Sequence, residues 1–473
     1  MFEPGEDLLA LTPDNYSVGY TGSRLTIQAW DRTRNIVRRV LRVSKTERAR
    51  LELAVERFGR KEGPLFLVDL AGRYGADATL RSSRLVFREA YRMFLRRQFP
   101  EWTLAELTTE ADLEHSLSPA FPRAFLRSGQ HGWAAIGCPP DGDGASVLAF
   151  GLIWLDYLRR REKKVTIGGL AIHVPEGKQR TTALRLPWLN PSAGRFELFA
   201  YSEENWVAPV DPRDFGNLDT RLEPRRRSVL SAPGLAEHVA ELPGVATVHG
   251  RDGRRSFRLH GLEFADEADG QLRFGLAHRH AAGERDLREI ERLVAEIARV
   301  RSPEADDRAH PLYRQAPEAW LESEVRADPE AIDASLLSEP IYGQTPVFAG
   351  GERGVIDLLV VDRAGRLAVL ELKASADLHL PLQALDYWLH VRWHLERGEF
   401  AQAGYFPGVS LRRDAPRLIL VSPSLEFHPT TETLLGFLSP EIDVVRIGLA
   451  VEWRRELRTM FRLTGAQRPA PIE

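Results

Sequence analysis

Gly354–Ala374 reads GVIDLLVVDRAGRLAVLELKA, and its pattern decides the fold expected of the C-terminal third of the chain. An apolar run broken by Asp357 leads into Arg363-Ala364-Gly365, and a second apolar run carries Glu371 and Lys373. A three-residue loop with glycine last suits a hairpin whose final turn position takes positive φ. Side chains alternate along a strand, so Val369, Glu371 and Lys373 share one face while Leu370 and Leu372 take the other. A hairpin centred on Ala364 pairs Asp362 with Arg366, and the same register sets Asp357 opposite Glu371. A bulge would shift that pairing by one residue and still leave the two carboxylates close.

Neighbouring carboxylates in a partly dry site cannot both stay ionised unless something positive lies between them. Mg²⁺ prefers oxygen ligands and keeps several waters, so two carboxylates and a backbone carbonyl make an open site for it. Such an ion acidifies a bound water and neutralises charge on a phosphate. Lys373 is a compact point charge placed to orient that water or to stabilise the phosphate. A Glu-x-Lys pair alone is most often a solvated ion pair. Here it comes with an acid inside the apolar run Val355 to Val361 and a matching register, and that conjunction argues for a metal site.

The arrangement resembles the PD-(D/E)XK nuclease superfamily, in the form Asp357 … Glu371-Leu372-Lys373, over roughly the last third of the chain. Gln383-Ala384-Leu385-Asp386-Tyr387 repeats the Gln-x-x-x-Tyr spacing that follows the lysine in RecB-like members, and i and i+4 of a helix face one side. Pro317-Glu318-Ala319-Trp320-Leu321-Glu322-Ser323-Glu324 looks like the family's first helix, which commonly supplies another metal-directed glutamate. Placement after Trp320-Leu321 favours Glu322, with Glu324 in reserve and Glu318 the outsider. The family's proline before the aspartate is absent, since Val355-Ile356 stand there.

The resemblance implies a Mg²⁺- or Mn²⁺-dependent nuclease, an endodeoxyribonuclease, acting on DNA in repair, recombination or defence. Asp357 and Glu371 would hold the cation, with the Leu372 carbonyl and Glu322 completing the ligand set. Lys373 would activate water, and Gln383 and Tyr387 would position Lys373 or the backbone phosphate. The alternative is a non-catalytic nucleic-acid-binding or scaffold protein that retains the fold, and a different phosphate ester is a third option. DNA against RNA, endo- against exonuclease mode and the oligomeric state, a dimer included, stay open.

The 473-residue chain has room for about three domains. Hydrophobic residues make up 43% and charged residues 28%, which excludes a largely disordered chain. A formal charge of −3 conceals 64 Lys and Arg against 67 acids, so only local clustering could argue for nucleic acid. The single cysteine, Cys138, excludes internal disulfides and cysteine-based zinc. The N-terminus has neither a basic start nor an apolar signal-peptide core, and no apolar stretch would cross a bilayer. The expectation is a soluble, cytoplasmic protein without a membrane partner.

The fold class expected is α/β of the α+β kind: a C-terminal restriction-endonuclease-like mixed sheet flanked by helices, after a mixed α+β N-terminal region. Three units follow: 1–130, β-rich then helical; 131–300, mixed, for substrate or partner binding; and 301–473, the nuclease-like unit. Short strands are expected at Leu25–Trp30, Ile36–Val43, Leu51–Phe58 and Leu65–Leu70. Helices are expected at Ser82–Gln98, Val147–Glu162, Ala232–Leu242 and Glu284–Val300. Arg301–His310, polar and proline-bearing, marks the main boundary. Beyond the hairpin come helix Leu380–Leu395, strand Arg417–Val421, helix Thr430–Leu438 and one long last strand, Asp443–Trp453. No internal repeat is detectable. Basic clusters at Arg159–Lys164, Arg225–Arg227 and Arg251–Arg258, near Trp154, Tyr157, Phe257 and His260, are candidates for binding phosphates and stacking bases. Pro175–Thr182 lacks the glycine and the Lys-Ser/Thr ending of a phosphate loop, and His278 with His280 has no partner ligands for zinc.

Overall fold

The computed structural model describes residues 1, 3, 9, 11–12, 15–21, 24–30, 35–47, 50–56, 62–68, 76–202, 207–214, 220–225, 234–250, 253–349 and 352–467. The chain is α+β. Its described strands form four sheets in sequence order. The first is an antiparallel meander of β1 (Tyr16–Thr21), β2 (Arg24–Trp30), β3 (Asn35–Glu47), β4 (Arg50–Glu56) and β5 (Glu62–Val68), close to the four runs expected there. Ile27, Ala29, Leu53, Val55 and Leu65 form its core.

Helix α1 (Ala76–Gln98) leads into the second sheet, β6 (Thr103–Thr108), β7 (Arg123–Ser128), β8 (His131–Gly137), β9 (Thr166–Pro175), β10 (Arg195–Tyr201) and β11 (Val207–Pro209). Helix α2 (Val147–Arg161) connects β8 to β9, and α3 (Arg180–Arg185) connects β9 to β10. The dividing line at 130/131 falls in the turn between β7 and β8, which are neighbours in this one sheet. The third sheet is a meander of β12 (Val245–His249), β13 (Arg255–Leu259), β14 (Leu262–Ala268), β15 (Gln271–Phe274) and β16 (His280–Ala281). It packs with α4 (Leu235–Ala240) and α5 (Leu287–Val300), which buries Ile290, Val294 and Ile297 along one stripe.

After α6 (Pro311–Arg314) and α7 (Pro317–Ala327) comes the fourth sheet, β17 (Tyr342–Ala349), β18 (Glu352–Val361), β19 (Leu367–Leu372), β20 (Arg417–Pro423), β21 (Val444–Leu449) and β22 (Thr459–Thr464). Helices α8 (Leu380–Glu396) and α9 (Glu399–Gln402) join β19 to β20, and α10 (Thr431–Gly436) joins β20 to β21. Every residue of β19, β20 and β21 is buried, as continuous apolar strands covered on both faces must be. Leu358, Val360, Leu370 and Leu372 pack with Trp320 and Leu321 of α7, while Leu359, Val361, Leu367 and Val369 pack with Leu385 and Trp388 of α8. The last expected strand is in fact two: the chain turns after Leu449 and returns as the exposed edge strand β22. Among the described residues no helix is long and apolar enough to cross a membrane.

Two devices hold α7 against the turn between β13 and β14 of the third sheet. Arg301, in the stretch read as a polar boundary, is wholly buried and stacks over Trp320 at 4.6 Å. Its guanidinium donates to the carbonyls of Leu312 and Gln315 at 2.6 Å and of His260 at 2.8 Å. Arg301 is therefore a clamp at the start of a segment whose later residues are exposed or half-buried. Gly261, at φ +76°, lies so close to α7 that a Cβ there would meet the Ala319 carbonyl oxygen at 2.0 Å, so only glycine fits.

Asp333 ties the loop after α7 to two strands, accepting hydrogen bonds from Arg417 of β20 and from Arg462 of β22, the latter at 2.7 Å. Burial opposes ionisation, but the Ser335 N–H and the two guanidinium groups outweigh it and hold the carboxyl well below its usual range. A depressed carboxyl contributes stability above the unfolded value, and that stability fades as pH falls toward the folded one. Asp333→Asn should therefore destabilise the protein by about 3 kcal/mol near neutrality and by progressively less below about pH 4. Urea unfolding at pH 7 and pH 3.5 measures the difference.

Candidate active site

The expected hairpin is present. Asp362 N–H donates to Arg366 O at 2.9 Å, and Gly365 N–H donates to Asp362 O at 2.9 Å with Gly365 at φ +82°. Leu358 pairs with Leu370 and Val361 with Leu367, so the register carries Asp357 to a position opposite Glu371. In an antiparallel ladder bonded pairs recur every second residue, so Leu372 N–H would next meet the Ile356 carbonyl. It donates instead to the Asp357 carboxylate at 2.8 Å. Ile356 also joins the core under α8, though strict alternation with Leu358 and Val360 would send it to the other face. The ladder opens at Asp357, and the opening leaves its carboxylate between the strands.

Glu371 and Lys373 are 1% and 6% exposed, so this is no solvated surface pair. Lys373 Nζ lies 3.4 Å from Glu371 Oε1 and 3.9 Å from Asp377 Oδ2. Desolvation lifts Asp357 to about 7, against the opposing pull of Lys373 and the Leu372 N–H. Desolvation and then the charge of Asp357 push Glu371 well up. Burial alone would lower Lys373, but Glu371, Glu318, Asp377 and Asp357 outweigh it and fix its proton firmly. Glu371 Oε2 is buried without a hydrogen-bond partner. One oxygen of Glu371 therefore meets Lys373 while the other is left without a partner, in the electrostatic reach of a second carboxylate.

The structure brings Gln383 and Tyr387 to the same place. Gln383 Nε2 donates to the Tyr387 hydroxyl at 2.9 Å, and Val355 N–H points at that oxygen from 3.4 Å. Burial and the nearby Glu371 keep the phenol neutral. Gln383 Oε1 is a second buried oxygen without a partner.

The three acids of α7 have different neighbours. Glu322 is buried and its charge bears on Asp357, but its carboxylate accepts from Arg326 at 2.6 Å, four residues on. Glu324 accepts from Trp320 Nε1 at 2.9 Å and lies 3.1 Å from His260 Nδ1, which makes it a packing contact. Glu318, the supposed outsider, is the α7 acid whose charge reaches Asp357, Glu371 and Lys373 together. It stands exposed in the first turn of α7. Glu322→Gln should thus loosen α7 while changing Mn²⁺ affinity less than about threefold, whereas Glu371→Gln should abolish it, as calorimetric titration would measure. Asp377 was missed by sequence reasoning. Its signal was its place two residues before His379, whose N–H donates to it at 2.8 Å in the turn that leads into α8.

The basic clusters are largely neutralised. Arg161 pairs with Glu106 and Glu162, and Arg160 with Asp156. Arg254 pairs with Glu263 and Asp266, and Arg255 with Glu237 and Glu267. Arg225 stacks on Tyr342 at 4.3 Å, while Arg226, Arg227 and Arg251 lie outside the described residues. Lys178, in the rejected phosphate-loop segment, donates to the carbonyls of Pro140 and Gly142 at 2.8 Å.

Among the described residues no group of three or more His, Cys, Asp or Glu side chains is arranged to hold a metal ion. The carboxylates that the hairpin brings opposite each other, Asp357 and Glu371, are oxygen donors of the kind Mg²⁺ or Mn²⁺ takes, with backbone oxygen and water for the rest. No protein-family model matches the chain, and no curated protein matches it.

Proposed function

We propose that this chain is a metal-dependent nuclease that hydrolyses phosphodiester bonds in DNA, with Mg²⁺ or Mn²⁺ held by Asp357 and Glu371. The observation that carries the reading is the buried Glu371 Oε2 without a hydrogen-bond partner, in a site where the charges of Asp357 and Lys373 both reach Glu371. A structural ion pair of this burial would be fully hydrogen-bonded. The cation, when bound, would supply positive charge to a phosphate oxygen and acidify a water.

The remaining work falls to the chain's own side chains. Asp357 is fixed by the Leu372 N–H through Oδ2, a bond in which its Oδ1 takes no part. Lys373, cationic at neutral pH, donates hydrogen bonds to the attacking water or to a phosphate oxygen, where charge builds in the transition state. Tyr387 accepts from Gln383 and keeps its own proton to donate to the backbone phosphate. A reducing, cytoplasmic setting suits a chain whose one cysteine is free and buried. The test is incubation with circular and linear DNA plus Mn²⁺, beside Lys373→Ala and Asp357→Asn. Cleavage by the unchanged chain that both substitutions suppress is expected, and activity surviving both would remove the assignment.

A further inference from the structure

The second and fourth sheets share one plan. In each, two antiparallel strand pairings lead to a helical crossover, a parallel strand, a second short helical crossover, another parallel strand and an antiparallel edge. The match extends to register. Counted from the closing pair of its hairpin, Ser128 with His131, Cys138 falls where Lys373 falls counted from Asp362 with Arg366. Cys138 N–H donates to His173 O at 2.8 Å, as Lys373 N–H donates to Val421 O at 3.0 Å. The next crossings end alike. Glu176 N–H donates to Tyr201 O and Ser424 N–H to Leu449 O, both at 2.8 Å and both just after a proline, Pro175 and Pro423.

The two units face each other as a dimer would. Helix α10 lies against α2, and α3 lies against α8. Asn190 N–H donates to Phe437 O at 2.8 Å, Ser439 N–H donates to Trp188 O at 2.7 Å, and Leu189 bridges Leu438 between them. These contacts interchange when the units interchange, which is the mark of an isologous interface. A single apolar core runs through both.

The earlier unit has lost the site. The same counting sets Arg123 at the place of Asp357, Ile136 at Glu371 and Cys138 at Lys373. The Arg123 guanidinium is buried and donates to the carbonyls of Ser118 and Glu110. Gly137 N–H makes the regular ladder bond to Pro122 O at 3.0 Å, the bond that Leu372 gives up for Asp357. Tyr91 and Gln98 hold His173 at 3.0 and 2.6 Å, and Tyr201 closes on the Cys138 carbonyl at 2.5 Å, filling the space with aromatic side chains. A fixed guanidinium and an isoleucine cannot hold a divalent cation.

We infer that residues 76–209 are a catalytically silent copy of the cutting unit, fused to it as a built-in pseudo-dimer, so that one chain engages duplex DNA with a single cutting centre and releases a nicked duplex. The inference rests on the nuclease reading of Asp357, Glu371 and Lys373. The step is hydrolysis of one P–O bond on one strand: the water oxygen bonds to phosphorus, the leaving sugar oxygen takes a proton, and the other strand stays intact. The test pairs supercoiled plasmid cleavage by the full chain in Mn²⁺, at nanomolar protein, with Mn²⁺ calorimetry on the same chain and on the Asp357→Asn, Glu371→Gln double variant. Nicked circles should accumulate at least about tenfold over linear DNA before any linear product rises, and the double variant should bind no Mn²⁺. Linear DNA formed from the outset, or Mn²⁺ binding that persists in the double variant, would overturn the silent copy alone. Neither cleavage nor Mn²⁺ binding by the unchanged chain would overturn the nuclease reading, and this inference with it.

Discussion

Lys373→Ala is expected to slow Mn²⁺-supported DNA cleavage by about 10²- to 10³-fold, the usual cost of removing one group aimed at developing charge. The charges of Glu371, Glu318, Asp377 and Asp357 outweigh burial, so the ammonium remains cationic across the physiological range and acts as a donor, not as a base. Lys373→Arg keeps the charge but not the compact shape, and recovery should be partial at best. Single-turnover rates at saturating protein separate this loss from weakened DNA binding. Asp357→Asn retains an acceptor for the Leu372 N–H, so its equal or larger loss should come without unfolding.

Glu371→Gln should have the opposite effect on stability. In the metal-free protein the charge of the half-buried Asp357 acts on the buried Glu371, and burial, with that repulsion at Glu371, raises both above their ordinary ranges. For a raised group, the stability contribution is fully present below the unfolded value, about 4 for a carboxyl, and is lost as pH climbs through the folded one, which is about 7 for Asp357. The metal-free chain should therefore lose stability as pH rises from about 4 through about 7, and Glu371→Gln should lose less. At pH 8 the variant should melt higher by a few degrees, on the order of 2–4 °C for each kcal/mol of repulsion removed. Mn²⁺ should raise the melting temperature of the unchanged chain at pH 8, and do so less at pH 6, where protons compete for Asp357. It should do neither for the variant. A variant that melts lower than the unchanged chain would mean the carboxylate is a structural partner.

The hairpin was legible because local chemistry dictates it. Gly365 supplies the positive φ, alternation fixes the faces, and register then follows by counting to Asp357 and Glu371. The strand β17 was not legible, since Pro346 inside it argues against a strand and only its edge position tolerates one. Strands β7 and β8, RAFLRS and HGWAAIG, were hidden by glycine and alanine, whose weak strand preference is overridden by burial on both faces. The internal duplication left no trace in sequence because equivalent places carry opposite chemistry, Arg123 for Asp357 and Cys138 for Lys373. Topology and backbone hydrogen bonds preserve what side chains do not. Choosing among Glu318, Glu322 and Glu324 required knowing that Arg326 and Trp320 engage two of them, a matter of tertiary contact that spacing along one helix cannot express.

The most direct measurement is anomalous scattering from a crystal of the chain soaked in Mn²⁺. The account predicts one strong peak lying about 2.1–2.2 Å from an oxygen of Asp357 and an oxygen of Glu371, with Lys373 Nζ facing it across the opening between β18 and β19. No peak between those carboxylates, in crystals whose DNA-cutting activity is supported by the same Mn²⁺, would contradict it.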